Sequence, residues 1–379
     1  MRWAVAVIVT VHGFIHLLGA SKGLGWAEVS QLKEPISNAA GAVWLVAAVL
    51  TVGAGVMLAA SIRWWWLVGN FAVVVSQAVI VTSWSDAKAG TIVNVVLLAA
   101  VVYGTAANGP TSLRAEYRRR VAIALQKTLD AASVTEQDLA ALPASVAAYI
   151  RQSGAVGQPR IDNFRADISG RIRSGPAKPW MAFTGEQVNT FGANPSRSFR
   201  MDATMAGLPV DVLHIFADAT ATMRVKVCSL FPMVNRAGPE MDRAETVTVF
   251  NDLCVLAPAA IVHAPITWHP IDDHRSQGTF TNGVHAVTAE LTFNDQHELV
   301  DFWSDDRLAT SADGRTLTPQ RWSTPVTAFR TLDHRRVATF GEARWHAPAP
   351  DGQYTYLEFN LDDIDYNVTT RGTVIGDGA

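Results

Sequence analysis

Between Arg2 and Arg114 the chain carries only seven charged residues: Lys22, Glu28, Lys33, Glu34, Arg63, Asp86 and Lys88. Four stretches in this region, Trp3 to Ala20, Ala40 to Ala60, Trp64 to Ser83 and Thr91 to Ala107, contain no Asp, Glu, Lys or Arg at all. A helix needs ~20 mostly apolar residues to cross a bilayer, because each backbone amide must find its partner inside the same segment. The pattern therefore predicts a bundle of about four transmembrane helices over residues 1–108. A cleaved signal peptide would account for the first stretch alone, and no small-residue cleavage site is followed by soluble sequence. Nearly all remaining charge lies beyond the bundle, so the mean hydropathy of +0.14 and the 49% of hydrophobic residues reflect a local excess.

The cations beside the short connections set an expected orientation. With a cytoplasmic N-terminus, Arg2, Arg63, Arg114, Arg118, Arg119 and Arg120 lie inside, and Lys22, Lys33 and Lys88 outside. This reading places a multi-pass protein in the inner (cytoplasmic) membrane with its large C-terminal domain in the cytoplasm. The reverse topology is the rival, since long domains cross regardless of charge. Trp64, Trp65, Trp66 and Trp84 read as an interfacial aromatic belt.

Polar residues inside such spans are costly and mark either structure or function. His12 and His16 are spaced i, i+4 on one helix face, which suits a metal, a haem iron, a proton path or plain hydrogen bonding. Ser76, Gln77 and Asn94 suit hydrogen bonds between helices. Asp86 and Lys88, in the segment Trp84-Ser-Asp-Ala-Lys88, read as a tight polar turn at the membrane surface.

Residues 109–158 form a helical linker. Leu113 to Leu129 is basic and amphipathic, fit to lie against anionic headgroups. Thr135-Glu-Gln-Asp138 is a capping box opening a helix that carries Leu139, Leu142, Val146, Tyr149 and Ile150 and ends at Gly154. Over residues 159–379 the hydrophobic period becomes two, which predicts about nine or ten strands. One helix interrupts them, opened by Pro239 and closed by Pro258. The fold class expected is a membrane α-helical bundle followed by an α+β soluble domain. That domain is a strongly curved antiparallel sheet or half-barrel with a helix across its concave face. Trp180, Phe183, Phe199, Met201, Phe216, Phe250, Phe302 and Trp345 are the candidates to line an apolar pocket there, or equally to fill a core.

Several motifs punctuate this half: Phe250-Asn-Asp-Leu-Cys, Ile266-Thr-Trp-His-Pro-Ile-Asp-Asp, Phe280-Thr-Asn, Glu298-Leu-Val-Asp-Phe-Trp-Ser-Asp-Asp-Arg307, Trp322-Ser-Thr-Pro-Val326, Gly341-Glu-Ala-Arg-Trp-His346 and Asp365-Tyr-Asn367. Their order and spacing resemble those of a bacterial family described only as a domain of unknown function. The resemblance runs from Leu142 to Val368 and takes in Ser76-Gln77 and Ser83 to Lys88. It implies a fold similar to the lipoprotein-carrier half-barrels and, by analogy, a lipid-handling role.

No nucleophile elbow, phosphate loop, HExxH helix or dinucleotide fingerprint occurs in the sequence. Asp305 and Asp306 are consecutive on a strand end and so point to opposite faces, with Arg307 placed to neutralise one of them. Glu342 and His346 share a strand face and are the alternative catalytic or metal-binding pair, together with Asp305 and Asp306. His269, Asp272, Asp273 and His274 read as a solvated loop rather than a metal group. Cys228 and Cys254 make neither a zinc site nor a disulfide framework, although a single bridge stays open. A formal charge of −3 gives no reason to expect nucleic acid. The sequence thus points to a membrane-tethered binding or transport protein whose partners are membrane lipids and a hydrophobic ligand, with no cofactor and no metal. A membrane-bound hydrolase or metal-dependent enzyme is the alternative, and a sensory or docking module the second.

Overall fold

The computed structural model describes residues 2–126, 132–310 and 316–370. The chain divides into two compact units, with the boundary between Ala115 and Glu116.

The first unit contains α1 (Arg2–Gly23), α2 (Asn38–Ala59), α3 (Trp65–Thr82), the short α4 (Trp84–Ala87) and α5 (Gly90–Asn108). Helices α1, α2, α3 and α5 are each long and apolar enough to cross a membrane. Small residues let α1 and α2 approach closely. A Cβ on Gly19 would stand 2.3 Å from the Trp44 ring, and one on Gly55 would stand 2.3 Å from Thr10 Oγ1. The outward faces carry Val7, Val11, Phe14, Val49, Phe71, Val74, Val81 and Ile92, all exposed, the reverse of a water-soluble bundle. The tryptophan run is split: Trp64 and Trp84 face outward, whereas Trp65 and Trp66 are buried. Successive helical residues point about 100° apart, so three consecutive rings cannot all face outward.

Asp86 sits on α4, where the sequence suggested only a turn, and accepts the backbone N–H groups of Lys33 (2.5 Å) and Glu34 (2.8 Å). Those two bonds, the Glu34 one foremost, hold its carboxyl below the usual range. Lys22 donates into the same connection, to the carbonyls of Leu32 and Glu34. Lys88 is exposed.

The second unit begins within α6 (Leu113–Ala124), the described part of the expected juxtamembrane helix, whose continuation over 127–129 lies outside the described residues. Tyr117 is buried, and Glu116 pairs with Arg224. The capping box at Thr135 and Asp138 opens α7 (Glu136–Leu139), but Pro143 divides the expected single helix and the remainder is α8 (Ala144–Gln152).

Six antiparallel strands follow in an unbroken meander: β1 (Asn163–Ile172), β2 (Met181–Thr190), β3 (Ser196–Met205), β4 (Leu208–Ala217), β5 (Thr220–Val227) and β6 (Phe231–Ala237). Helix α9 (Pro239–Leu256) and a 3-10 turn (Pro258–His263) come next. Then follow β7 (Ile266–Asp272), β8 (Arg275–Asn282), β9 (His285–Phe293), β10 (Leu299–Ser304), β11 (Leu308–Thr310), β12 (Leu317–Pro319), β13 (Trp322–Ser323), β14 (Val326–Leu332), β15 (Arg335–His346) and β16 (Gln353–Tyr366).

Sixteen strands therefore replace the expected nine or ten. The excess lies in the two- and three-residue strands, in β2 and β14, and in β6 and β7, which contain Pro232 and Pro270. Both occupy sheet edges, where a missing N–H is tolerated. Fourteen strands form one curved sheet in the order β6-β5-β4-β3-β2-β1-β16-β15-β13-β10-β9-β8-β7, with β14 paired to β15. The path is open, a half-barrel rather than a closed barrel. Helix α9 crosses the concave face and packs on β5, β6, β9, β10 and β15, with every residue from Ala244 to Leu256 buried.

Candidate functional site

Alternation along β2 to β4 decides what the concave face presents. Phe183, Gln187 and Asn189 of β2 face α9 in step with Arg197, Phe199, Met201 and Ala203 of β3, while Val210, Val212, His214 and Phe216 of β4 stand opposite them in register. On β3 and β4 this surface is apolar at one end, from Ala203 and Val210 to Phe199, and charged at the other, at Arg197 and His214.

The charged end meets polar groups of α9. Glu245 and Asp252 are seven residues apart, two turns, and so share a helix face. Asp252 Oδ2 accepts from Arg197 Nε (2.8 Å), Gln187 Nε2 (2.8 Å) and Asn189 Nδ2 (3.1 Å). Glu245 lies 3.4 Å from His214 Nδ1, 3.6 Å from Arg197 and 3.7 Å from Arg307. Arg307 also donates to the Ala244 carbonyl (2.9 Å) and to Thr248 Oγ1.

Burial shifts these groups in ways that their partners modify. It lowers His214 to about 4 despite the adjacent Glu245. It pushes Asp252 up, and the Arg197 guanidinium only partly offsets this. Glu245 is driven upward by burial too, but the charges of His214, Arg307 and Arg197 hold it below its ordinary value. His214 Nδ1 lies 3.3 Å from Arg197 Nη1 and 3.4 Å from Glu245 Oε2, so the ring sits between a fixed donor and a fixed acceptor. His214 Nε2 and Arg307 Nε are buried nitrogens without a hydrogen-bond partner among the described residues.

The predicted pocket residues separate into groups. Phe250 stacks on Phe280 (5.3 Å) and meets Phe302 edge-on (5.3 Å), so these rings form one packed cluster under α9. Phe183, Phe199, Met201 and Phe216 belong to the same hydrophobic core. Trp345 stacks on Tyr356 (5.7 Å). Trp180 stands apart on the β1–β2 connection, with the guanidinium groups of Arg171 (4.6 Å) and Arg173 (4.4 Å) over its ring. Arg307 lies over Trp322 (4.6 Å).

The alternative catalytic residues are each engaged elsewhere. Asp305 holds Arg321 through two bonds of 2.8 and 2.9 Å, and Asp306 accepts from Thr288 N (2.6 Å) and Arg243 (2.5 Å). Glu342 accepts from Arg344 (2.8 Å) and Thr355 (2.6 Å). Four residues along a strand span ~13 Å, and His346 at the far end of that span bonds instead to Ser323 Oγ at 2.8 Å. Ser323 is only 3% exposed, which closes this hydroxyl to a substrate.

In the helical unit His12 and His16 converge through Nε2 on Ser76 Oγ, at 3.3 and 2.7 Å. Ser76 donates to Asn94 Oδ1 (2.8 Å), Asn94 to Gln77 Oε1 (3.0 Å), and Gln77 to Thr91 Oγ1 (3.2 Å). This chain of bonds links α1, α3 and α5. Among the described residues no three His, Cys, Asp or Glu groups gather as a metal site, and Cys228 and Cys254 are free thiols.

Sequence reasoning missed Gln187, Asn189, Arg197, His214, Glu245 and Asp252. One signal was present: an acidic residue, Asp252, set between Phe250 and Leu253 in a helix that is apolar to its end.

The sequence model of DUF6544, a family of unknown function, matches residues 132–359, more than half of the 379-residue chain. The chain belongs to this family. The DUF6544 match covers α9 and the strands that face it but not the segments around Ser76 and Asp86. No curated protein matches the chain. Two solved structures are similar in their large antiparallel sheet. A DUF1329 family protein from Desulfovibrio piger aligns over 59% of this chain and 92% of its own, at 9% identity and a TM-score of 0.34. A putative outer membrane lipoprotein-sorting protein domain from Vibrio parahaemolyticus aligns over 54% of this chain and 85% of its own, at 8% identity and a TM-score of 0.33.

Proposed function

We propose that this DUF6544 protein is a membrane-tethered binding or transport protein. Its four apolar helices anchor it in the bacterial inner membrane, and its curved sheet holds an amphiphile, a lipid or another hydrophobic molecule with an acceptor-bearing polar end. The observation that carries this reading is the pair of buried nitrogens without hydrogen-bond partners among the described residues, His214 Nε2 and the Arg307 Nε donor, at the charged end of an otherwise apolar concave face. A buried donor left unmade costs ~1–3 kcal/mol, which a carboxylate or phosphate oxygen would recover. The apolar stretch from Phe199 and Met201 to Val210 and Val212 then suits the hydrocarbon part.

Helix α9 covers this surface, so binding requires it to move. Its attachment suits that role. Buried ion pairs add little net stability compared with apolar contacts of the same volume, so a helix held through Glu245 and Asp252 is released more readily than one held by hydrocarbon alone. The cation bias of Arg2, Arg63, Arg114, Arg118, Arg119 and Arg120 supports a cytoplasmic position for the sheet domain.

The test is mass spectrometry of lipids that co-purify with the full chain in mild detergent. We expect one class of amphiphile enriched over the bulk extract in the wild type, and lost in Met201→Trp and Val212→Trp, which fill the apolar stretch. Lipids recovered in bulk proportions, unchanged by either substitution, would refute the proposal.

A further inference from the structure

One end of the half-sheet β1–β6 is unlike the rest of the domain surface. Three connections meet there, closed by the register pairs Ile172 with Met181, Met205 with Leu208, and Val227 with Phe231. The bond from Cys228 N to the Pro209 carbonyl (2.8 Å) sets the second turn beside the third. Along this rim the exposed side chains are large and apolar: Phe231 (64% exposed), Met233 (63%), Leu208 (46%), Leu230 (39%) and Met205 (37%). A contiguous apolar patch of this kind on a water-facing rim marks a surface that meets something else.

The charge on the same segments identifies the partner. Residues 171–181, 202–211 and 226–233 contain Arg171, Arg173, Lys178 and Lys226 against two carboxylates, Asp202 and Asp211. Arg171 is paired with Glu358 beyond these segments, and Arg173 is spent on the carbonyls of Thr355 and Pro176, but Lys178 stands exposed beside Trp180. Apolar tips flanked by cations and an amphipathic tryptophan match the acyl and anionic headgroup layers of a bilayer. The chain also carries four helices able to hold this domain at such a surface.

We propose that this rim inserts into an anionic bilayer, the surface that its apolar tips and flanking cations fit. Met205, Leu208 and Phe231 stand on the same strand faces as Ala203, Val210 and Val227, and so lead from the rim to the apolar stretch of the site. The inference rests on the membrane-anchor part of the proposed function.

The experiment uses the full chain with Cys228→Ser, in nanodiscs of phosphatidylcholine and phosphatidylglycerol. A bimane label is placed in turn at Phe231→Cys, Leu208→Cys, Val284→Cys and Phe71→Cys. Val284 is 91% exposed on the β8–β9 turn, and Phe71 is 65% exposed on α3. Positions 231 and 208 should be quenched by doxyl-labelled lipid and shielded several-fold from aqueous iodide relative to 284, and Met205→Glu with Met233→Glu should reverse both at 208. Labels at 231 and 208 as open to iodide as that at 284, with 71 quenched by lipid, would overturn the rim and leave the anchor standing. A label at 71 that lipid does not quench would overturn the anchor and the rim together. Neither result bears on whether Met201→Trp removes a co-purified lipid.

Discussion

Arg197 on β3 and Asp252 on α9 meet at 2.8 Å with side chains only 8% and 11% exposed, closer than the 3.6 Å between the same guanidinium and Glu245. Asp252→Ala would leave the guanidinium and the amides of Gln187 and Asn189 without their shared acceptor. Breaking a buried pair from one side costs ~3–5 kcal/mol, and we expect a loss of that order in urea unfolding of the purified chain. Replacing both partners, Arg197→Met with Asp252→Leu, should cost less than Asp252→Ala alone. A single substitution within about 1 kcal/mol of wild type would show that the pair does not hold α9.

His214 makes the domain acid-sensitive. Burial lowers its pKa from 6.5 to about 4, so the unfolded chain takes up the proton first as the pH falls. The stabilising contribution is complete above pH 6.5 and drains away between 6.5 and 4, by up to ~3 kcal/mol. Unfolding free energies measured across this window should fall more steeply for wild type than for His214→Gln. Equal slopes would disprove the assignment.

The architecture was largely legible in the sequence, and the site was not. Prolines 239 and 258 delimit α9, and alternation delimits β3 and β4, because both signals are local. The polar group under α9 is assembled from Gln187, Arg197, His214, Asp252 and Arg307, spread over 121 positions from first to last. No periodicity reports such a pairing. Each of these residues, read alone, has the polarity of an exposed one. Trp65 and Trp66 failed for a related reason: composition suggested a belt, but helical rotation turned them inward.

Gly170 is a sharper test of the sheet. A Cβ there would stand 2.0 Å from the Glu358 carbonyl oxygen on β16, whose backbone cannot yield without breaking the ladder. Gly170→Ala should destabilise the domain by about 3 kcal/mol or more. At Gly175 a Cβ meets only the flexible Lys178 Cγ at 3.5 Å, so Gly175→Ala is the matched control and should melt with wild type.

Ser76 is the shared partner of His12 and His16 and the donor to Asn94. Removing its hydroxyl takes away the partner of His16 Nε2 within an apolar bundle, while His12 Nε2 keeps Asn94 Oδ1 at 3.2 Å. Hydrogen bonds between membrane helices contribute ~0.6–2 kcal/mol each, and Ser76→Ala should lose about that much in unfolding from mixed micelles by dodecyl sulfate. Ser76→Thr keeps the hydroxyl and should recover most of it.

The two halves of the great sheet are joined through β13, which is two residues long: Trp322 and Ser323 pair with β10 on one side and with β15 on the other. Elsewhere neighbouring strands share ladders of up to nine or ten residue pairs. Bending stiffness in a sheet comes from those ladders, so this junction is where the half-barrel flexes most easily. Trp322 anchors Arg307 by its ring and Tyr356 by its indole N–H, and Ser323 holds His346. A change of curvature at this hinge would therefore be felt at once by the guanidinium that steadies α9, coupling the angle between the two half-sheets to the closure over the concave face.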